Sequence, residues 1–311
     1  MDVLYSLNFT LFLTAIPFYI TGFVGNVLVI RIVHKTREMH TTTNYLLANL
    51  AVSDVITIFI YPLYVSSYLY GYLNDGFAAI FACKFLVLTQ ISAMVSALTL
   101  TVLAIERYHA ILKPFRRDLL LNNGNIKRAI AFVWVLSIVF TFPEFFLQEW
   151  SQKESACSGP WSLNANQASR VYLYFYSVVS TYVPLGVFLF CYGSLIKGLY
   201  LSNTICATDS DQDRDDKKKL VVTIIMATMG FVVGYGTLVV FYCVMTFHNG
   251  ERFKSNLHYQ LLSVFSFMFI CSLSFNPVLY AFRSTNFQKG FRKILFCQKI
   301  STQHNVMDLR C

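Results

Sequence analysis

A single carboxylate lies deep inside an apolar stretch of the sequence. Asp54 is the only charged residue in the stretch 42–68, and an ionised group near the centre of a bilayer costs about 2.5–3.5 kcal/mol or more. Other apolar stretches carry polar side chains that can meet it: Ser96 in one, and Asn276 and Tyr280 in another. Ordinary hydrogen bonds between helices explain single Ser or Asn residues, but they explain a buried carboxylate poorly. The residue types favour a site for a small cation or a proton.

An arginine lies on the same helix face as Ser96. Eleven residues at about 100° each bring Arg107 back within roughly 20° of Ser96. Arg107 follows an uncharged run, residues 85–105, as part of Glu106-Arg107-Tyr108. A line of polar groups therefore leads from the cation site to the end of that helix.

Long apolar helices are needed to position these residues. Hydrophobic residues make up 56% of the 311 residues and charged residues 13%, half of the ~25% typical of soluble proteins. Roughly 18–20 apolar residues suffice to cross a bilayer as a helix, and the runs lack the alternation of a barrel. We therefore predict an all-α integral membrane fold, a seven-transmembrane helix bundle plus a short amphipathic helix 8, as one domain over residues 1–311. The predicted helices are 11–33, 42–68, 83–107, 129–147, 172–198, 218–246 and 257–282, with helix 8 at 285–296.

The placement of Lys and Arg predicts the orientation. About four fifths of them fall on the side that carries the C-terminus, and basic residues concentrate in cytoplasmic loops. We therefore expect a multi-pass plasma membrane protein with its N-terminus extracellular and its C-terminus cytoplasmic. Topology and anionic lipids then account for the net charge of +9, without nucleic acid. No catalytic constellation fits this topology, so we expect no enzymatic activity.

Three further positions predict covalent modification. Cys83 and Cys157 are the only cysteines placed outside, where an oxidising environment favours a disulfide between them. Asn8 begins the glycosylation sequon Asn8-Phe9-Thr10. Cys297 ends an amphipathic segment that suits the inner leaflet, where it is a candidate palmitoylation site and membrane lipids are partners.

A proline in the seventh predicted helix predicts a weak point. Pro277 has no backbone N–H, so it leaves the carbonyl of Leu273 without its helical partner, beside the polar stripe that contains Asn276. Such a weak point suits a bundle that switches between two arrangements. A kinked but static helix is the equal alternative.

Several short motifs occur in order along the seven predicted helices. Together they resemble the rhodopsin-like (class A) G-protein-coupled receptors over nearly the whole chain, with a pattern closest to the neuropeptide receptors. The motifs are Gly25-Asn26-Val27-Leu28-Val29, Asn49-Leu50-Ala51-Val52-Ser53-Asp54, Glu106-Arg107-Tyr108, Trp134 with Pro143, Pro184 with Tyr192, and Asn276-Pro277-Val278-Leu279-Tyr280.

The resemblance implies a two-state switch. An allosteric sodium ion, with no other metal or cofactor, would favour the resting state from a pocket of Asp54, Ser96 and Asn276. The residues implied in coupling and switching are Glu106, Arg107, Tyr108, Tyr192, Phe231, Tyr235, Pro277 and Tyr280. Glu106 would restrain Arg107 at rest, and Arg107 would meet a heterotrimeric G protein when helix 6 swings outward. Tyr192 and Tyr280 would then stabilise the released arginine.

The sixth predicted helix departs from the family pattern. Alignment on the pivot residue Phe231 gives Gly234-Tyr235-Gly236-Thr237, so the usual tryptophan and kinking proline are absent and Tyr235 is the substitute toggle. The glycines are expected to give local flexibility instead. Lys217–Lys219 stand where many relatives have an acid, so we expect no ionic lock between Arg107 and this helix.

Two residue types are missing from the predicted helices, and their absence disfavours amine and retinal ligands. Residues 85–105 contain no acid to pair with an amine, and residues 255–282 contain no lysine for a retinal Schiff base. Gln90, seven residues after Cys83, resembles receptors for amidated neuropeptides. The outer surface adds the acids Glu144, Glu149 and Glu154 and the aromatics Tyr64, Tyr68, Tyr70, Tyr72 and Trp161. We expect an extracellular peptide ligand, contacted by Thr89, Gln90, Tyr235 and Glu149.

Other classes of ligand and of protein remain open. The ligand is alternatively a lipid or another small non-amine molecule, or the chain is a receptor-like protein that does not signal by itself, as the altered sixth helix allows. A transporter or ion-conducting protein is expected to carry several charges inside the membrane or an inverted repeat. In this sequence Asp54 is the only such charge, and no repeat is apparent. Arrestin is a further implied partner, although the tail offers few hydroxyls, Ser301 and Thr302.

Overall fold

The computed structural model describes residues 2–70, 77–113, 116, 121–122, 124–151, 156–160, 166–198, 211–247 and 256–295. This part of the chain contains α-helices and one antiparallel hairpin. The helices are α1 (Asp2–Lys35), α2 (Thr42–Tyr70), α3 (Phe77–Phe85), α4 (Val87–Leu112), α5 (Ile126–Leu147), α6 (Gln167–Ser177), α7 (Val183–Ile196), α8 (Asp211–Phe231), α9 (Thr237–Phe247), α10 (Asn256–Arg283) and α11 (Thr285–Leu295). The strands are β1 (Glu149–Ser151) and β2 (Ala156–Ser158).

Seven helical segments of the described chain are long and apolar enough to cross a membrane, which confirms the predicted seven-transmembrane fold. In chain order these spans are Leu13–Lys35, Thr42–Pro62, Ala79–Leu112, Ile126–Leu147, Gln167–Ile196, Lys218–Phe247 and Gln260–Arg283. The helices themselves are longer than the predicted segments: α1 begins at Asp2, and the third span continues past Arg107 to Leu112. The charged ends of these helices lie outside the apolar pattern from which the boundaries were predicted.

Two spans contain a turn of π-helix. Val178–Tyr182 separates α6 from α7 in the fifth span, and Val232–Gly236 separates α8 from α9 in the sixth. Single π turns often occur at functional sites, because the extra residue breaks the regular hydrogen-bond ladder. In the sixth span, the π turn contains the segment that lacks the family's proline. A Cβ on Gly234 would lie 2.5 Å from Ser272 Oγ, so this glycine is needed for close packing against the seventh span.

The third span forms the centre of the bundle. In its most apolar window 67% of residues are buried, compared with 22% in the first and fourth spans. It packs against the second, fourth and fifth spans, while the seventh packs against the first and sixth. Asn49 ties three spans together, since it donates to Thr99 Oγ1 at 2.8 Å and accepts from Trp134 Nε1 at 2.9 Å. The site residues therefore project from a well-packed framework.

The two ends of the bundle differ. We call the end that carries the hairpin the outer end and the end that carries Arg107 the inner end. A disulfide joins Cys83, at the outer end of the third span, to Cys157 of β2, which confirms that predicted pairing. At the inner end, the amphipathic helix α11 follows the seventh span, and its buried Phe287 stacks on Tyr280 with ring centroids 5.3 Å apart.

Candidate functional site

Asp54 lies between the second, third and seventh spans. The residue is 1% exposed, and its carboxylate accepts hydrogen bonds from Asn276 Nδ2 at 3.0 Å and from Ser96 Oγ at 3.4 Å. Ser53 Oγ lies 2.8 Å from Ser96 Oγ and extends the polar group. The structure thus brings together the three residues predicted to form the sodium pocket.

The donor atoms around Asp54 suit a hard cation. Asn276 Oδ1 is buried and has no hydrogen-bond partner within the described part of the chain. Together with the Asp54 carboxylate and the Ser96 hydroxyl it offers neutral and anionic oxygens, which hard cations prefer. Among the described residues, no group of three or more His, Cys, Asp or Glu side chains could hold a metal ion. The oxygen atoms around Asp54 fit a small hard cation such as sodium.

The proline of the seventh span leaves a carbonyl that another span satisfies. Asn26 Nδ2 donates to the Leu273 carbonyl at 3.0 Å, and this is the carbonyl that loses its helical partner because Pro277 has no N–H. The same Nδ2 group donates to Gly22 of its own span at 2.9 Å. Asn26 therefore fixes the first span against the weak point of the seventh, next to the Asp54 site.

Arg107 is held against the second span. Its Nη2 group donates to Thr43 Oγ1 at 2.5 Å and to Glu106 Oε1 at 2.6 Å, and its Nε group donates to Glu106 Oε2. Thr42 Oγ1 also donates to Glu106 Oε1, at 3.2 Å. Within the described residues, the carboxylate paired with Arg107 is that of Glu106. We call Arg107, Glu106, Thr42 and Thr43 the arginine clamp.

The two tyrosines predicted to meet Arg107 after its release have other neighbours in this structure. The hydroxyl of Tyr192 lies 2.8 Å from Thr228 Oγ1 of the sixth span. The hydroxyl of Tyr280 is buried and has no hydrogen-bond partner within the described chain. This arrangement corresponds to a state in which the arginine clamp is closed.

The inner half of the sixth span is attached to its neighbours through two threonines. Besides the bond between Thr228 and Tyr192, Arg283 Nε of the seventh span donates to Thr223 Oγ1 at 3.3 Å. Tyr108, beside the arginine clamp, packs on Phe190 of the fifth span with ring centroids 5.4 Å apart. The contacts that hold the sixth span include hydrogen bonds through neutral threonine hydroxyls.

A small cavity lies in the outer half of the bundle. Its volume is about 20 Å³, close to the space that one water molecule needs. The residues that line it are Tyr61, Thr89, Gln90, Ala93, Tyr235, Leu238, Val239, Tyr242 and Phe269. Tyr235 stacks on Phe231, with centroids 5.2 Å apart, so the predicted toggle contacts the predicted pivot. Three of the four predicted ligand residues therefore lie together at this cavity.

The acidic residues of the outer end are placed differently from one another. Glu149, the fourth predicted ligand residue, is exposed on β1 and does not line the cavity. The prediction that Glu144 lies on the outer surface is wrong, because this residue is 2% exposed and faces the bundle. Its neighbours Phe142 and Phe146 are about three fifths exposed on the lipid side, so helix periodicity turns Glu144 inward.

Some predicted sites fall outside the described residues. These are Cys297, Glu154, Tyr72, Trp161 and the side chains of Asn8, Tyr64, Tyr68, Tyr70 and Lys217.

Sequence reasoning missed several residues of the site. Thr43 was not singled out, since a threonine at the start of an apolar helix has no distinctive pattern. Tyr172 and Tyr176 were also missed, although their spacing of four residues places them on one helix face. Tyr176 proves central, because its hydroxyl lies 3.0 Å from that of Tyr235 and donates to the Gln90 carbonyl at 3.1 Å.

Comparisons with known proteins agree with this architecture. The family described as 7 transmembrane receptor (rhodopsin family) matches residues 25–280. The somatostatin receptor type 5 of Bos taurus is 28% identical over 280 residues, which cover 89% of this chain and 74% of that protein. The QRFP-like peptide receptor of Branchiostoma floridae is 28% identical over 297 residues, covering 90% and 76%. The galanin receptor type 1 of Rattus norvegicus is 25% identical over 305 residues, covering 95% and 85%.

Proposed function

The chain belongs to the rhodopsin family of seven-transmembrane receptors, and from this premise we propose that it binds an extracellular peptide and activates a heterotrimeric G protein. It is a signalling receptor and not an enzyme. The observation that carries the proposal is the arginine clamp, in which a charged group is held against the second span at the inner end of the third, the most buried of the seven described spans.

The arginine clamp holds the guanidinium group of Arg107, which a G protein can contact after its release. A charge-assisted hydrogen bond is worth about 1.5–3 kcal/mol, so the bonds of Arg107 to Glu106 and Thr43 favour the state seen here. When the arginine leaves the second span, its guanidinium becomes available at the inner surface. Tyr192 and Tyr280 then accept it, and their hydroxyls replace the partners that it has lost.

The sixth span has the attachments expected of an element that swings. The neutral bond between Thr228 and Tyr192 contributes a net of about 0.5–1.5 kcal/mol, and the bond from the charged Arg283 to Thr223 belongs to the class worth about 1.5–3 kcal/mol. Both are broken at moderate cost. The π turn Val232–Gly236 lies directly outward of these contacts and serves as the pivot. Outward movement of the inner half frees Tyr192 and opens the surface around Arg107.

A sodium ion is proposed for the Asp54 site. Asp54, Ser96 and Asn276 would hold it through oxygen atoms. When bound, it supplies a positive charge that offsets the buried carboxylate. Asn276 joins the site to the seventh span, so the packing of this span and the polar network of the second and third depend on each other.

The ligand is proposed to enter at the outer end. One of the relatives named above is called a peptide receptor, the QRFP-like peptide receptor, and the exposed Glu149 adds a charge at the entrance. Gln90 and Tyr235 both line the cavity, and Tyr235 stacks on Phe231. A ligand that binds the outward-swung state more tightly than the resting state shifts the population toward signalling.

In the proposed orientation the two ends of the bundle face opposite sides of the membrane. The outer end faces the extracellular side of the plasma membrane, with the N-terminus, and the inner end faces the cytoplasm, with the C-terminus. Lys289, Arg292 and Lys293 of α11 then meet the anionic inner leaflet. The G protein, and arrestin after it, bind the inner end.

A lipid ligand is the second candidate. An open apolar groove lies on the surface between the fourth and fifth spans, and its lining residues are Pro143, Phe146, Leu147, Gln167, Ala168, Val171, Tyr172 and Phe175. Its exposed apolar side chains suit contact with an acyl chain.

A G-protein activation screen in cells that display the protein tests the proposal. The library contains amidated peptides, amines and lipids, and the same plate carries Arg107→Ala together with Arg31→Ala as a matched control, since Arg31 is an exposed arginine of the first span. We expect a peptide to activate the parent protein and the Arg31 variant but not the Arg107 variant.

Three other results would change or contradict the proposal. A lipid hit with the same dependence on Arg107 keeps the coupling mechanism and replaces the ligand class. Surface expression without basal or ligand-driven signalling favours a receptor-like protein that does not signal by itself. Full signalling by Arg107→Ala at equal surface expression contradicts the coupling mechanism.

A further inference from the structure

A second carboxylate is buried in the outer half of the bundle, away from Asp54. Glu144 of the fourth span is 2% exposed. The Tyr172 hydroxyl of the fifth span bonds to Glu144 and to the Phe140 carbonyl, the latter at 3.3 Å. Tyr176 packs on Tyr172, and its hydroxyl lies 3.0 Å from that of Tyr235. We call Glu144, Tyr172, Tyr176 and Tyr235 the carboxylate–tyrosine cluster.

The cluster adjoins the proposed ligand cavity. Tyr235 belongs to both, and Gln90, which also lines the cavity, is bonded through its carbonyl to the Tyr176 hydroxyl at 3.1 Å. The rings of Tyr172 and Tyr176 are 5.9 Å apart between centroids. The cluster therefore meets the cavity through Tyr235, while Glu144, Tyr172 and Tyr176 lie behind the residues that line it.

This combination of groups recognises organic cations. A carboxylate pairs with a guanidinium through two parallel hydrogen bonds, and tyrosine rings attract the same cation through their faces. A guanidinium is planar and weakly hydrated, so it enters a partly apolar site more readily than an ammonium does. An anionic ligand would be repelled by Glu144, and a neutral one would leave the charge unused.

We propose that the carboxylate–tyrosine cluster is a subsite for an arginine side chain of the peptide ligand, an assignment that rests on the function proposed above. The guanidinium pairs with Glu144 and takes the place of the Tyr172 hydroxyl. The cluster ends at Tyr235, which stacks on the pivot residue Phe231. Binding of a guanidinium at the subsite is therefore transmitted through Tyr235 to the pivot of the sixth span.

The experiment uses two matched probe libraries of amidated tetrapeptides. One set carries a single arginine at each position in turn, and the other carries citrulline, its uncharged isostere, at the same positions. G-protein activation is measured for the parent protein, for Glu144→Gln and for Glu38→Gln, a matched control at an exposed acid of the inner end. We expect the parent and the Glu38 variant to prefer the arginine set by about tenfold or more, and the Glu144 variant to lose this preference.

Tyr172→Phe provides an independent variant should Glu144→Gln fail to reach the surface. It keeps the ring and the carboxylate but removes the hydroxyl that competes for Glu144, so we expect the arginine set to gain potency. Loss of the arginine preference in Tyr172→Phe overturns the assignment.

The remaining outcomes separate the subsite from the receptor function. A parent protein that responds equally to both sets refutes the subsite but keeps the peptide receptor. Retention of the preference by Glu144→Gln also refutes the subsite. No response to either set by the displayed parent protein overturns both proposals.

Discussion

Replacement of Thr43 by valine removes one hydrogen bond from the arginine clamp while it keeps the size and branching of the side chain. The bond joins Arg107 Nη2 to Thr43 Oγ1 at 2.5 Å, and Thr43 is buried. Because Arg107 is charged, this bond belongs to the class worth about 1.5–3 kcal/mol. Glu106 retains its contacts with the arginine, so we expect the lower part of this range to apply.

A loss of about 1.4 kcal/mol from the resting state changes its equilibrium with the active state by about tenfold. An active population of about 1%, within the range usual for minor states, would therefore rise to about 10%. We expect the basal G-protein activity of Thr43→Val, measured without ligand and normalised to surface expression, to increase by about this factor.

The matched control is Thr101→Val. The hydroxyl of Thr101 donates to Ala97 of its own helix at 2.8 Å, so its loss disturbs no contact between spans and should leave basal activity at the parent level. Basal activity of Thr43→Val equal to that of the parent and of Thr101→Val, at equal expression, would refute the view that the second span restrains Arg107.

Three further changes test other parts of the structure. Asp54→Asn removes the buried charge and should abolish any sodium dependence of agonist affinity. If the agonist affinity of the parent protein is the same with and without sodium, the proposed site is wrong. Cys157→Ser opens the disulfide to Cys83, which closes 74 residues of chain, and should cost about 4 kcal/mol; surface expression is expected to fall, and unchanged thermal stability would argue against the bond. Gly25→Ala would place a Cβ 2.7 Å from the proline ring of the seventh span, so we expect a thermal stability lower by about 1–3 kcal/mol, while Gly186→Ala, with open space around it, should be neutral.

Spacing along one helix predicted the parts of the site that a helix face alone determines. Ser96 and Arg107 were placed on one face by their separation, and the carbonyl freed by Pro277 was predicted from covalent chemistry. The structure places Asn26 on that carbonyl. Seven spans followed from composition and run length, because a bilayer requires long apolar helices.

Contacts between helices were not predictable in the same way. The position of Thr43 against Arg107 depends on how far the second and third spans are rotated about their axes, and one sequence does not contain that angle. Glu144 was taken for a surface acid because it lies near a helix end, whereas packing turns it toward Tyr172.

The π turn of the sixth span was also missed. An extra residue in a helical turn leaves no periodic signal in five residues, and glycines alone suggested flexibility. The structure explains the glycine at position 234 differently: its close approach to Ser272 leaves no room for a side chain.

The central claim is that the inner half of the sixth span moves outward when the receptor activates its G protein. The most direct measurement is the distance between two spectroscopic probes on the purified protein in lipid nanodiscs. One probe is placed at Lys219, at the exposed inner start of the sixth span, and the other at Lys35, at the inner end of the first. We expect a longer distance with an activating ligand and G protein than without them, and a return to the short distance when both are removed. An unchanged distance in a sample that exchanges nucleotide on its G protein would contradict it.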